Sequence, residues 1–162
     1  VARDGGIFCF GDARFFGSTG AIRLNQPIVG MQATPSGNGY WLVARDGGIF
    51  CFGDARFFGS TGSIRLNQPI IGMASTVSGN GYWLVARDGG IFCFGGAQYF
   101  GSGPGRGLRS PAVAMAPTTS GRGYALLSTD GNVLPFGDAQ SYGVATAIGP
   151  VVGLAGRLLP KH

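Results

Sequence analysis

The sequence contains no glutamate, one lysine and one histidine, and that histidine is the last of its 162 residues. Acid–base and nucleophilic catalysis draw mostly on histidine, or on carboxylates free of a structural duty. The sequence has no Gly-x-Ser-x-Gly elbow, and no glycine-rich stretch ends in the Gly-Lys-Ser/Thr of a phosphate loop. No apolar run approaches the ~18 residues that cross a membrane as a helix. Long stretches without glycine, which paired-helix repeats require, are also missing. Charged residues make up only 12%, the opposite of a disordered chain.

What is present is glycine, 32 residues of it, with 44% hydrophobic and 12% aromatic residues. Short strands joined by tight turns have this composition. The glycines recur with a period of 42 residues, set by Val1, Val43, Val85 and Leu127. The best-formed unit reads Gly39-Tyr40-Trp41-Leu42-Val43-Ala44-Arg45-Asp46-Gly47-Gly48-Ile49-Phe50-Cys51-Phe52-Gly53-Asp54 and returns at Gly81 to Gly95. It appears without its opening residues at Val1 to Asp12, and in altered form at Gly123 to Asp138. The whole chain is therefore read as one repeat domain, 1-162, with units 1-42, 43-84, 85-126 and 127-162. Such a period, without helical stretches, indicates four-stranded blades stacked as a β-propeller-like array.

Each unit offers four strand candidates: Pro27 to Gln32, Tyr40 to Arg45, Ile49 to Phe52 and Ala55 to Phe58. Side chains alternate along a strand, so Ile49 and Cys51 share one face and Phe50 and Phe52 the other. Both faces are apolar, as expected of a sheet packed between two neighbours. Asp46-Gly47-Gly48 and Asp130-Gly131-Asn132 are hairpin turns. Gly59 to Gln68 is the crossing to the next blade. The chain starts inside a unit without an initiator Met, which reads as a mature or excised piece. A strand at Pro150 to Leu154 would pair with the N-terminal strands and close a ring of four blades. A piece of a larger propeller is the alternative.

All seven acids are aspartates at two repeat positions: Asp4, Asp46, Asp88 and Asp130, then Asp12, Asp54 and Asp138. Both read as turn aspartates accepting backbone N–H groups; calcium sites gather more oxygen ligands than one such Asp supplies. Cys9, Cys51 and Cys93 also share one position, and spacings of 42 without histidine make no metal site. They read as small apolar residues of the sheet stack. The segment Gly101 to Gly107 reads as a relaxed loop. No catalytic residue, metal ligand or cofactor site is assigned.

The formal charge is +5, carried by eleven Arg and one Lys. The basic residues are spread over the repeats rather than clustered, which argues against nucleic acid. Arg14-Phe15 and Arg56-Phe57 occupy equivalent positions, and Trp41 with Arg45, and Trp83 with Arg87, fall on one strand face. These eight residues are the candidate ligand contacts: at a blade rim, aromatic faces stack on sugar rings and Arg binds acidic groups. The other reading is Arg packed over an aromatic ring.

The phrases Gly-Tyr-Trp-Leu-Val-Ala-x-Asp-Gly-Gly-Ile-Phe-x-Phe-Gly-Asp-Ala and Phe-Gly-Ser-Thr-Gly, then Leu-Asn-x-Pro-Ile-Val-Gly, resemble a repeat of secreted actinobacterial proteins. The resemblance covers nearly the whole chain. It implies a β-propeller-like array, export and an extracellular or cell-surface setting beside wall-hydrolase, esterase or peptidase domains, with no catalysis of its own. Together these readings point to a non-catalytic module whose partner is a protein, a cell-wall glycan or an anionic wall polymer. The alternatives are a self-associating structural subunit of an extracellular assembly and an accessory domain of a secreted hydrolase.

Overall fold

The structure, a computed structural model, describes residues 1–141 and Leu158. It is all-β, with three antiparallel three-stranded sheets. The first holds β1 (Ile28–Ala33), β2 (Gly39–Ala44) and β3 (Ile49–Gly53). The second holds β4 (Ile70–Ser75), β5 (Gly81–Ala86) and β6 (Ile91–Gly95). The third holds β7 (Ala112–Pro117), β8 (Gly123–Ser128) and β9 (Val133–Gly137). In each, the middle strand is the Gly-Tyr strand, and all six of its residues are buried. That follows from its sequence: Tyr40 and Leu42 are apolar on one face, Trp41 and Val43 on the other, so neither face can meet water cheaply. Registers repeat, with Trp41 opposite Cys51 and Trp83 opposite Cys93. A bulge recurs in the first strand of each sheet, between Ile28 and Gly30, Ile70 and Gly72, and Ala112 and Ala114.

The expected fourth strand does not form. Among the described residues, 55–58 pair with no strand, and three of their backbone groups are taken elsewhere. Ala55 N–H turns back to the Phe52 carbonyl. The Arg56 carbonyl accepts the Trp41 indole N–H at 2.8 Å, and Phe58 N–H donates to the Tyr82 hydroxyl at 3.1 Å. The N-terminal stretch Val1 to Arg3, expected to be strand, is not strand among the described residues, although the turn after it, with Gly5 N–H bonded to the Ala2 carbonyl, is the same turn that follows β2 and β5. The ring-closing strand expected at residues 150–154 lies outside the described residues. Leu158 makes a parallel bridge to Thr118 just beyond the end of β7.

The sheets stack face to face, as the two-sided apolar pattern requires, with a cluster between neighbours. Trp41, Val43, Tyr82 and Leu84 form one, and Trp83, Val85, Tyr124, Leu126 and Phe136 another. Each inter-sheet tyrosine crosses the boundary. The Tyr82 hydroxyl bonds Gly59 and Phe58 of the connection that leaves the preceding sheet, and Tyr124 does the same with Gly101 and Phe100. Backbone ties run beside them: the carbonyls of Arg3, Arg45 and Arg87 accept from the N–H of Ile28, Ile70 and Ala112 in the next sheet. The hairpin turn is pinned by its own unit, where Thr61 donates to the Asp46 carbonyl. Gly47 there has φ +80°, and a Cβ on it would lie 1.8 Å from Thr61 Oγ1, so the position accepts only glycine.

Candidate interaction surface

At the end of the first sheet where β1 turns into β2, Asp54 closes the turn. Thr34 Oγ1 donates to its carboxylate at 2.8 Å, Ser36 Oγ donates to the other oxygen, and Asp54 N–H bonds the Asn38 carbonyl. The Ser36 bond, then the Thr34 bond, holds the Asp54 carboxyl below the usual carboxylate range. Its side-chain partners are hydroxyls, not the backbone N–H groups expected of a turn aspartate. Asp138 repeats the arrangement with Thr118 and Ser120, and Arg122 Nε stands 3.7 Å away. In the second sheet Gly96 replaces the acid, and the Asn80 side chain takes its place, accepting from Thr76 at 3.0 Å. A Cβ at Gly96 would lie 2.6 Å from the Asn80 amide. The departure at Gly96, visible in the sequence, was the signal for this substitution. Asp4, Asp46 and Asp88 do behave as turn aspartates, each accepting from the glycine N–H two residues on at 2.9 Å.

Beside this latch a cleft of about 300 Å³ runs between the first two sheets, lined by Thr34, Ser36, Trp41, Asp54 and Arg56 on one side and Ser78 to Asn80 on the other. It brings together two of the eight candidate residues, Trp41 and Arg56. Trp41 contributes little surface. Trp41 and Trp83 are 1% and 0% exposed, with their indoles on Tyr82 and Tyr124 at 5.8 Å. The expectation of tryptophans at a rim is corrected: they are inter-sheet core, because the middle strand is covered on both faces. Arg45 and Arg87 are exposed but stand beyond the opposite ends of β2 and β5. A six-residue strand spans about 20 Å, so Arg45 and the Asp54 latch cannot share one small ligand.

Arg14, Phe15, Arg56 and Phe57 are all exposed. Phe15 and Phe57 are 60% and 61% exposed, and Tyr99, one period further on, is 59% exposed. Tyr99 was not singled out in the sequence, although its spacing from Phe57 was the available signal. Ile22 and Ile64 form a second exposed equivalent pair, beside Arg23 and Arg65. Cys51 and Cys93 are half-buried, and burial pushes both thiols up; all three cysteines are free. Cys9 departs from the expected sheet-stack position and is exposed. Gly101 to Gly107 is more structured than a relaxed loop: it holds a 3-10 turn at Pro104–Arg106, with the Arg106 guanidinium 5.4 Å from the Phe136 ring centre. Among the described residues no three His, Cys, Asp or Glu side chains gather to hold a metal ion, and no helix is long and apolar enough to cross a membrane.

No protein-family model and no curated protein matches the sequence. Among solved structures the chain is similar to the Cps50 (Swd1) β-propeller domain of Myceliophteria thermophila, with a TM-score of 0.55 over 80% of this chain. The identity is 11%, so the likeness is one of fold, and the matched region spans 45% of that chain. The three stacked sheets are thus arranged as blades of a β-propeller.

Proposed function

We propose that this chain is a non-catalytic interaction module of the cell surface, which binds wall glycans or anionic wall polymers through exposed aromatic and arginine positions repeated on successive blades. The observation that carries the reading is the series Phe15, Phe57 and Tyr99, each more than half exposed and one repeat apart. Large aromatics left in water at equivalent positions of otherwise well-covered blades are surface given over to a partner. Arg14 and Arg56 stand next to the first two and supply donors for carboxylates or phosphates. Equivalent weak sites on one rigid body add up by avidity. The fold supports a binding scaffold, and the exported, actinobacterial setting rests on the resemblance of the repeat sequence.

Co-sedimentation with purified wall polymer tests the reading. Retention that falls in the Arg14→Ala, Arg56→Ala double variant supports it, and retention of neither protein removes the wall ligand. The second reading, a subunit of a larger surface assembly, is favoured by Ile22 and Ile64, an equivalent pair each 55% exposed. It predicts a mass above the monomer in solution.

A further inference from the structure

At the end of the sheets opposite the Asp54 latch, hairpin turns and blade crossings enclose clefts at equivalent positions. One lies between the first and second blades, is lined by Gln26, Arg45, Asp46, Leu66, Asn67 and Gln68, and has a volume of about 260 Å³. The next lies between the second and third blades, is lined by Gln68, Arg87, Asp88, Leu108, Arg109 and Ser110, and has a volume of about 340 Å³. These six positions correspond residue for residue, one repeat apart. The first cleft is therefore a built-in reference for the second. Two of the six change: Arg109 stands where the first cleft has Asn67, and Ser110 where it has Gln68.

The backbone holds both arginines of the second cleft. Arg87 follows β5, where its N–H donates to the Pro69 carbonyl and its own carbonyl accepts from Ala112 N–H in the third sheet. Arg109 stands on the crossing between two fixed residues. Leu108 N–H donates to the Gly103 carbonyl at 3.0 Å, and the Ser110 hydroxyl donates to Asp130 at 2.9 Å. Both arginines are exposed, and among the described residues neither guanidinium has an ion-pair or hydrogen-bond partner. The acid in the lining, Asp88, accepts from Gly90 N–H at 2.9 Å. Asp130, behind Ser110, accepts from Ser110, Ser128 and Asn132 N–H. The second cleft thus sets two uncommitted guanidiniums against one engaged aspartate, where the first sets one against one.

We infer that the cleft between the second and third blades is a binding site for a phosphate group, held between Arg87 and Arg109. One guanidinium fork already satisfies both oxygens of a carboxylate. Two forks on one anion suit a tetrahedral group with more oxygens and more charge. Gln68 and Ser110 place neutral polar groups beside the anion, and Leu108 supplies an apolar wall. The volume accommodates a phosphate with a small organic group attached. The site uses none of the exposed aromatics Phe15, Phe57 and Tyr99, so it stands apart from the wall-polymer reading.

Calorimetric titration of the full chain with inorganic phosphate and with glycerol phosphate tests this, with glucuronate as the carboxylate arm. The parent should bind one equivalent of either phosphate, more weakly as salt is added, and glucuronate about tenfold more weakly. Arg109→Asn gives the second cleft the residue of the first and should weaken phosphate about tenfold or more. Arg23→Asn removes the same charge outside both clefts and should leave the affinity nearly unchanged. Asn67→Arg gives the first cleft the arginine pair and should raise the stoichiometry to two. All three positions are exposed, and melting curves check that the variants stay folded. Absence of phosphate binding by the parent overturns the inference. So does an Arg109→Asn variant that binds as the parent does, or one that loses no more than Arg23→Asn, which would mean diffuse attraction to a basic protein. A single equivalent bound by Asn67→Arg would mean that the arginine pair does not make the site, and glucuronate binding as tightly as phosphate would overturn the assignment of phosphate.

Discussion

The Tyr82 hydroxyl donates a 2.6 Å hydrogen bond to the Gly59 carbonyl, across the boundary between one blade and the next. The same hydroxyl accepts from Phe58 N–H, so one buried side chain satisfies two backbone groups of the preceding connection. Tyr82→Phe keeps the ring packing and leaves both groups without that partner. The expected loss is about 1–3 kcal/mol, measured by urea denaturation. An unchanged midpoint would mean that water replaces the hydroxyl.

Trp83 is fully buried between the second and third blades and donates to the Gln98 carbonyl. Trp83→Ala leaves a cavity in that layer and costs about 3–5 kcal/mol. Because Trp83 is core, its loss should lower stability. Under a rim-contact role, the variant would instead keep full stability and lose ligand.

Gly47→Ala places a Cβ onto Thr61 Oγ1 at a residue with φ +80°. Both the backbone conformation and the contact oppose it, and the expected loss is more than about 1 kcal/mol. Gly11→Ala has a positive φ but nothing within 4 Å, so it isolates the backbone part. Thermal melting of the two variants side by side should place Gly47→Ala clearly lower.

Two groups give opposite pH responses. Burial pushes the Tyr124 phenol up to about 12 from 10.0. The fold favours the neutral phenol, so this contribution is whole below the unfolded value and is lost as pH rises toward about 12. Tyr124→Phe should flatten that alkaline loss. Asp54 is shifted down by Ser36 and Thr34. Its contribution is present above the unfolded carboxylate value, about 3.9, and is lost as pH falls through the lower folded value. Asp54→Asn should therefore be less stable than the parent at neutral pH and converge with it in acid. Melting curves across the pH range check both signs.

The period, the three inner strands and the aspartate–glycine turns were legible because each is a local pattern: alternation for strands, glycine where φ must be positive. The fourth strand was misread because alternation in Ala55 to Phe58 shows side-chain faces and not the fate of backbone groups. Trp41 and Tyr82, which take the Arg56 carbonyl and the Phe58 N–H, lie 15 and 24 residues away in sequence. Trp41 and Trp83 were placed at a rim for a related reason: pairing them with an arginine on the same strand face ignored the neighbouring sheet that covers that face. The loss of the carboxylate at Gly96 was legible in the sequence, but the residue that takes its place was not, because Asn occupies position 38 as well as position 80.

The interaction reading rests on the exposed aromatic series, and one measurement addresses it most directly. Affinity for purified wall polymer should be compared between the parent and variants with one, two and three of Phe15→Ala, Phe57→Ala and Tyr99→Ala. Exposed surface changes of this kind should leave the melting temperature nearly unchanged. The account predicts a stepwise loss of retention, steeper in the multiply substituted proteins than in any single one, as linked weak sites require. Full retention by the triple variant, with the fold intact, would contradict it.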